Sequence, residues 1–183
     1  MRLIAHSIKT DNANISHKVY LRRLATKDLP ELRVLDCFAG ENRIWKNFKT
    51  SKYYGIEKVK GKGANLNADN ERVLASLDLS QFNVIDFDSY GIPCNVMQIA
   101  FDNPTLRHGT VIIYTCIGNA MSTLPKSIVR SLGIGRMYAK APSLFNKHGY
   151  EYFYGMLSLH GVRQVHEYRV EGKFKKRYGY FIY

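Results

Sequence analysis

The sequence predicts an α/β fold in three layers, a mostly parallel sheet with helices on both faces, finished by an antiparallel hairpin. Three observations predict it. Over residues 33–116, short runs of β-branched and aromatic residues alternate with stretches whose apolar residues recur at helical spacing, as parallel strands joined by helical crossovers do. The strongest run, residues 110–116, is apolar almost throughout, which suits a strand covered on both faces. Beyond residue 162 the pattern becomes an alternation over 162–170 and 174–183, with Glu171-Gly172 between as a turn.

In chain order, residues 15–24 carry Val19, Tyr20 and Leu24 at helical spacing and Pro30 closes the segment. Residues 1–32 are therefore expected as a helical segment packing on the core, and 33–183 as the main domain. Residues 33–38 predict the first strand, and 42–49 a helix with Ile44, Trp45 and Phe48 on one face. Residues 53–56 predict the second strand and 64–68 a weak third. A helix over 71–79 turns Val73, Leu74 and Leu77 inward; strand 82–87, helix 95–101 and strand 110–116 follow. No internal repeat, low-complexity tract or long linker divides the chain, so one domain is expected.

Composition narrows the function classes. With 45% hydrophobic residues the chain is too apolar for a disordered protein. No apolar run approaches the roughly 18 residues of a membrane span, and the apolar part of the N-terminus is too short for a signal peptide. Cys37, Cys94 and Cys116 form no Cys-x-x-Cys pair and sit in apolar contexts. Buried thiols in a reducing compartment, the cytoplasm, are expected, and no metal site. Twenty-seven Lys and Arg against fifteen Asp and Glu give a net charge of +12, which attracts polyanions.

Ligands of open α/β sheets sit outside the carboxyl ends of the strands, where the strand order reverses. The loop after the first strand is Asp36-Cys37-Phe38-Ala39-Gly40-Glu41-Asn42. Ala39 and Gly40 let the backbone approach a ligand closely, and Gly40 accepts a positive φ. The second strand ends in Glu57, an acid able to accept ribose hydroxyls or simply to pair with Lys58. Asp69, ahead of Asn70-Glu71-Arg72, reads equally as a helix N-cap. Neither a Gly-x-Gly-x-x-Gly dinucleotide loop nor a Gly-Lys-Ser/Thr phosphate loop is present.

These loops resemble those of the class I, Rossmann-like S-adenosylmethionine-dependent methyltransferases, whose motif I usually runs Asp-x-Phe-x-Gly-x-Gly. Asn42 stands at the last glycine; asparagine tolerates the left-handed region better than most residues. The resemblance covers residues 33–183 and implies a seven-stranded sheet whose last two strands are the closing hairpin. It implies S-adenosyl-L-methionine as cofactor, held by Asp36, Cys37, Phe38, Ala39, Gly40 and Asn42. It further implies Glu57 on the ribose, Lys58 beside the adenine, and Asp69 with Asn70 near the adenine amino group.

The next loop, Asp86-Phe87-Asp88-Ser89-Tyr90-Gly91, resembles motif IV of the amino-methylating enzymes, and more closely the Asp-Pro-Tyr-Gly form of the tRNA guanine N2-dimethyltransferases. Such chemistry needs an acceptor for the amine's hydrogens, so that the lone pair faces the methyl group, and an aromatic face for the base. By resemblance Asp88 is that acceptor and also borders the cofactor, the Ser89 carbonyl assists, and Tyr90 is the platform. Ser89 replaces the usual proline and loosens the turn. A helix-capping Asp beside a core Tyr is the plainer alternative.

Basic residues gather at Lys58, Lys60 and Lys62, at Lys18, Arg22 and Arg23, and at Lys173, Lys175, Lys176 and Arg177 beside Phe174, Tyr178 and Tyr180. Cations among stackable rings suit single-stranded nucleic acid, although each cluster reads equally as a solvated surface. With Arg130 and Arg136 at the rim of the target pocket, the candidate nucleic-acid contacts are Lys60, Lys62, Arg130, Arg136, Lys173, Lys175, Lys176 and Arg177. The expected activity is in-line methylation of an exocyclic base amine, RNA slightly ahead of DNA, with no covalent enzyme intermediate. A small-molecule or protein acceptor, and a methyltransferase-like module that binds without catalysis, stay open.

Overall fold

The computed structural model describes residues 14–60, 62–89, 91–117, 123–170 and 176–183. Among them six strands form one mixed sheet: β1 (Arg33–Asp36), β2 (Lys52–Gly55), β3 (Val84–Phe87), β4 (Val111–Ile117), β5 (His166–Val170) and β6 (Lys176–Ile182), in the order β2-β1-β3-β4-β6-β5. The first four are parallel; β6 runs antiparallel between β4 and β5. Helices α1 (Ile15–Thr26), α2 (Asn70–Ser76), α3 (Cys94–Asp102), α4 (Lys126–Ser131), α5 (Gly135–Lys140), α6 (Pro142–Asn146) and α7 (Gly149–Leu159) complete the order.

Two expectations need correction. The seven-stranded sheet has six strands among the described residues, because 64–68 contributes only the bridge Ile56–Leu66. Leu66 is flanked by asparagines whose side chains take over the backbone's partners: Asn65 accepts from the Gly55 amide at 2.8 Å, and Asn67 donates to the Glu57 and Val59 carbonyls. Such local bonds compete with a ladder. The helix expected over 42–49 is a single 3₁₀ turn, Trp45–Asn47. Asn42 at φ 52° and Asn47, donating to the Arg43 and Ile44 carbonyls, break the helical path.

The layers are unequal. The larger core lies on one face, where Leu35, Ile85, Phe87 and Ile112 meet Leu74 of α2, Met97, Ala100 and Phe101 of α3, Ile128 of α4 and Phe153 and Met156 of α7. On the other face a smaller cluster of Leu21, Val34, Trp45, Val84, Val111, Ile113 and Tyr178 packs beneath α1. Both faces of the central strands are thus buried, which is why β3 and β4 read as nearly continuous apolar runs.

A buried ion pair anchors α1. Arg22 is 0% exposed, and its Nε and Nη2 donate to the two oxygens of Asp86 at 2.7 and 2.9 Å. Its Nη1 donates to the Lys18 carbonyl, and the Trp45 indole donates to Asp86 at 2.7 Å. The bidentate pair keeps Arg22 charged despite its complete burial. Removing one partner of such a pair strands the other charge and costs about 3–5 kcal/mol, whereas replacing both by apolar residues is often neutral.

At the far edge of the sheet, Tyr114, Gly179 and Glu167 form one register row. A Cβ on Gly179 would lie 2.3 Å from the Tyr114 ring. The bare glycine lets the phenol cross β6 and donate to Glu167 at 3.3 Å.

Two stability outcomes follow from these contacts. In urea denaturation, Arg22→Ala should lose about 3–5 kcal/mol, and Arg22→Met with Asp86→Leu should recover most of it. Gly179→Ala should lose about 1–3 kcal/mol through overpacking, and much less in a Tyr114→Leu background.

Candidate cofactor and acceptor site

The chain turns from β2 back across β1 to β3, so the strand order reverses between β1 and β3, the place where open α/β sheets bind ligands. The loop leaving β1 is held by backbone bonds to both neighbours: the Cys37 amide donates to the Asp86 carbonyl at 2.9 Å and the Ala39 amide to that of Ile56 at 3.0 Å. Gly40 and Asn42 both adopt left-handed backbone, φ 51° and 52°. Asn42 therefore takes the conformation that a glycine would supply. A Cβ on Gly55 would fall 2.8 Å from the Ala39 Cβ, so the loop rests directly on the end of β2.

Glu57 ties this loop to the next. Its carboxylate accepts from the Gly40 amide at 3.0 Å and the Val59 amide at 3.1 Å. Lys58 pairs instead with Asp69, at 3.2 Å, and Asp69 caps α2 by accepting from the Glu71 amide. Asp69 thus fills the N-cap role, and its ion pair with Lys58 holds its carboxyl below the usual range. Asn42 Oδ1 and Asn70 Oδ1 are buried with no hydrogen-bond partner among the described residues. Buried polar atoms in proteins are nearly always paired. Two orphaned acceptors, one in the loop that Glu57 holds and one at the start of α2, fit a polar ligand with several donors, as a nucleoside with an amino-acid tail is.

Beside this cradle three carboxylates face α1. Asp36 and Asp86 are register partners across the reversal, and Asp88 follows two residues beyond Asp86 on the same face. The Lys18 Nζ lies 2.8 Å from both Asp88 oxygens, Thr115 Oγ1 donates to Oδ1 at 2.6 Å, and Arg22 Nη2 is 3.5 Å from Oδ2. Asp36 accepts from the Phe38 amide and from the Tyr53 hydroxyl, each at 3.1 Å. Two cations oppose three acids, so one acid keeps its proton. Burial, and next the charge of Asp86, push Asp36 up to about 8. Burial acts on Asp88 too, but Arg22 and Lys18 outweigh it and hold that carboxyl below its usual value.

No protein-family model matches the chain, and no curated protein matches it. Solved structures do. Precorrin-6y C5,15-methyltransferase from Geobacter metallireducens GS-15 aligns over 98% of this chain and 92% of its own, with a TM-score of 0.54 and 12% identity. Magnesium protoporphyrin IX methyltransferase from Synechocystis PCC 6803, solved with bound SAH, aligns over 92% and 80%, at 0.52 and 14%. Trm1 from Pyrococcus horikoshii, solved with S-adenosyl-L-methionine, aligns over 91% of this chain and 54% of its own, at 0.51 and 12%. The chain has the fold of S-adenosylmethionine-dependent methyltransferases.

Within that fold the sequence-derived candidates sort unevenly. Asp36, Cys37, Phe38, Ala39, Gly40, Asn42, Glu57 and Asn70 gather around the β1–β3 reversal, with Lys58 and Asp69 at its exposed side. Ser89 is buried and its hydroxyl donates to the Thr115 carbonyl at 3.4 Å. Tyr90, Lys173 and Lys175 lie outside the described residues. Lys60 is exposed, and Lys62 pairs with Glu41 at 3.5 Å. Arg130 and Arg136 are exposed and share a shallow cavity of about 500 Å³ with Lys126 and Met137.

Four basic residues depart from the surface reading. Lys18 and Arg22 are spent on Asp88 and Asp86. Lys176 is 8% exposed. Arg177 donates to the Tyr154 hydroxyl and to Glu167, and stacks on Tyr150 at 3.4 Å. Sequence reading missed Lys18, Arg22, Trp45 and Thr115 as members of the site. The available signal was Asp86 and Asp88 spaced by two in an apolar strand, since buried carboxylates require cations.

The raised Asp36 makes stability depend on pH. The folded state keeps its proton up to about pH 8, while the unfolded chain releases it near 3.8. Between those values the unfolded state binds fewer protons, so this acid's contribution to stability falls as pH rises. Melting temperature should drop more steeply from pH 5 to about 8 in the wild type than in Asp36→Asn, which mimics the neutral acid. Equal slopes would remove the assignment.

Proposed function

We propose that this chain is an S-adenosylmethionine-dependent methyltransferase acting on an exocyclic amine of a nucleic-acid base, RNA ahead of DNA. Asp88 carries the reading. It is a buried carboxylate at the end of β3, beside the cofactor cradle, kept anionic and already holding a nitrogen donor at 2.8 Å. An acid that seats the Lys18 ammonium has the geometry to seat an amine N–H in its place, provided Lys18 swings aside.

Asn42, Asn70 and the free lone pairs of Glu57 would hold the cofactor, whose sulfonium supplies an electrophilic methyl group when bound. Asp88 accepts an amine hydrogen and turns the nitrogen lone pair outward. Thr115 fixes Oδ1 through its 2.6 Å bond and leaves Oδ2 for the incoming amine. The amine's surplus proton passes to solvent, because the neighbouring cations disfavour protonation of Asp88. The net charge of +12 supports a polyanionic acceptor, and Lys60, Lys62, Arg130 and Arg136 are its candidate phosphate contacts, with Lys173 and Lys175.

One observation favours a second reading, a module that binds without methyl transfer: Asp88 is fully engaged by Lys18, Thr115 and Arg22. A methyl-labelled cofactor, offered with total RNA, DNA and small metabolites in turn, separates the readings. Label should enter RNA, and Asp88→Ala should lower the rate by about 100-fold or more, as removal of a preorganised polar group at a reacting centre does. Label confined to metabolites would move the acceptor, and cofactor binding with no transfer would favour the second reading.

A further inference from the structure

We propose that the cleft between α1 and the edge strand β5 is a stacking groove for bases of a single-stranded nucleic acid running into the Asp88 site. It deepens the nucleic-acid reading above and rests on it for the choice of polyanion.

The cavity measures about 420 Å³ and is walled by His17, Tyr20 and Leu24 of α1 and by His166, Tyr168 and Tyr180 of the sheet. Two of the rings are offered to solvent rather than consumed by the core, Tyr20 at 66% exposed and Tyr168 at 45%, while Tyr180 packs against the smaller cluster. They are also already organised as platforms. His166 stacks on Tyr180 at 4.7 Å and 13°, and His17 leans on Tyr168 at 5.2 Å. His17 Nδ1 is buried with no partner among the described residues, which leaves one hydrogen-bonding group set among ring faces. Planar surfaces with an unsatisfied polar atom match a nucleobase better than an aliphatic ligand.

Charge favours the same occupant. Glu167 borders the cleft by position, yet its carboxylate is turned to the opposite face of the sheet, where Tyr114, Tyr154 and Arg177 hold it. Arg23 stands one helical turn beyond Tyr20 on the solvent side of α1, and Lys27, the residue that closes the helix, is exposed and 4.0 Å from Asp28. Asp28 acts on Tyr180 at the end away from Asp88. Rings within and cations along the rim describe a single-strand track.

Register joins the groove to the acid. Thr115, which bonds Asp88, pairs with Tyr178, and Tyr178 pairs with Tyr168. Two strand spacings, roughly 10 Å, separate Thr115 from the Tyr168 position. His17 directly precedes Lys18. Bases stacked in the cleft would lie next to one entering the acceptor site.

The test measures binding of fluorescein-labelled single-stranded oligonucleotides, RNA and DNA, by anisotropy at fixed salt. Both rings to be removed are largely exposed, so the Tyr20→Ala, Tyr168→Ala double variant should fold normally, which its melting temperature checks. Affinity for single strands should fall by about 10-fold or more, and duplex binding should be unchanged. Equal single-strand affinity in wild type and double variant would overturn the groove while leaving the nucleic-acid reading intact. Wild-type protein that binds no nucleic acid would overturn both. A dimer in sedimentation velocity that the double variant dissolves would assign the cleft to a second copy of the chain and overturn the proposal.

Discussion

The bidentate pair of Arg22 with Asp86 organises everything around it. Its arginine fixes α1 against the sheet, its aspartate receives the Trp45 indole, and the Asp86 carbonyl receives the amide of Cys37 in the first loop. One residue thus joins the helix, the centre of the sheet and the loop leaving β1. An ion pair without water must satisfy its own geometry fully or lose several kcal/mol. That stringency gives α1 a single seating, and Lys18, one turn earlier on the same side, is carried onto Asp88.

From this seating follows the electrostatics of the site. Three acids and two cations share a volume that only the Asp88 end opens to solvent, and neutrality leaves the proton with Asp36, the acid without a cationic partner. Asp88 is thereby the charged acid and Asp36 the neutral one, although both end central strands. Two carboxylates held apart in protonation by their surroundings are a common sign of divided roles. The same seating sets α1 beside β5, where His17 meets Tyr168 and the rings on either side wall a cleft.

Local chemistry was the legible part. Gly40 and Asn42 were readable as residues suited to positive φ, because that preference belongs to each residue alone. The alternation of strands and helices was readable because burial on two faces writes itself as period. The strand expected over 64–68 and the helix over 42–49 give way to asparagines: the side chains at 47, 65 and 67 bond backbone groups that the apolar spacing assigns to ladder or helix, and Asn42 takes left-handed backbone. At Asp69 two roles were left open, and the structure shows the cap.

By itself the sequence determined the order of β1 to β4 with α2 and α3, their parallel pairing and the loops around the β1–β3 reversal, all set by local propensity and periodic burial. Only the tertiary structure decided which charges face water. Lys18, Arg22, Lys176 and Arg177 look in sequence like any surface cations. The partner that buries Arg22 stands 64 residues away, and whether a charge is buried depends on finding such a partner. Burial of charge is a property of pairs brought together by the fold, so no single residue could announce it.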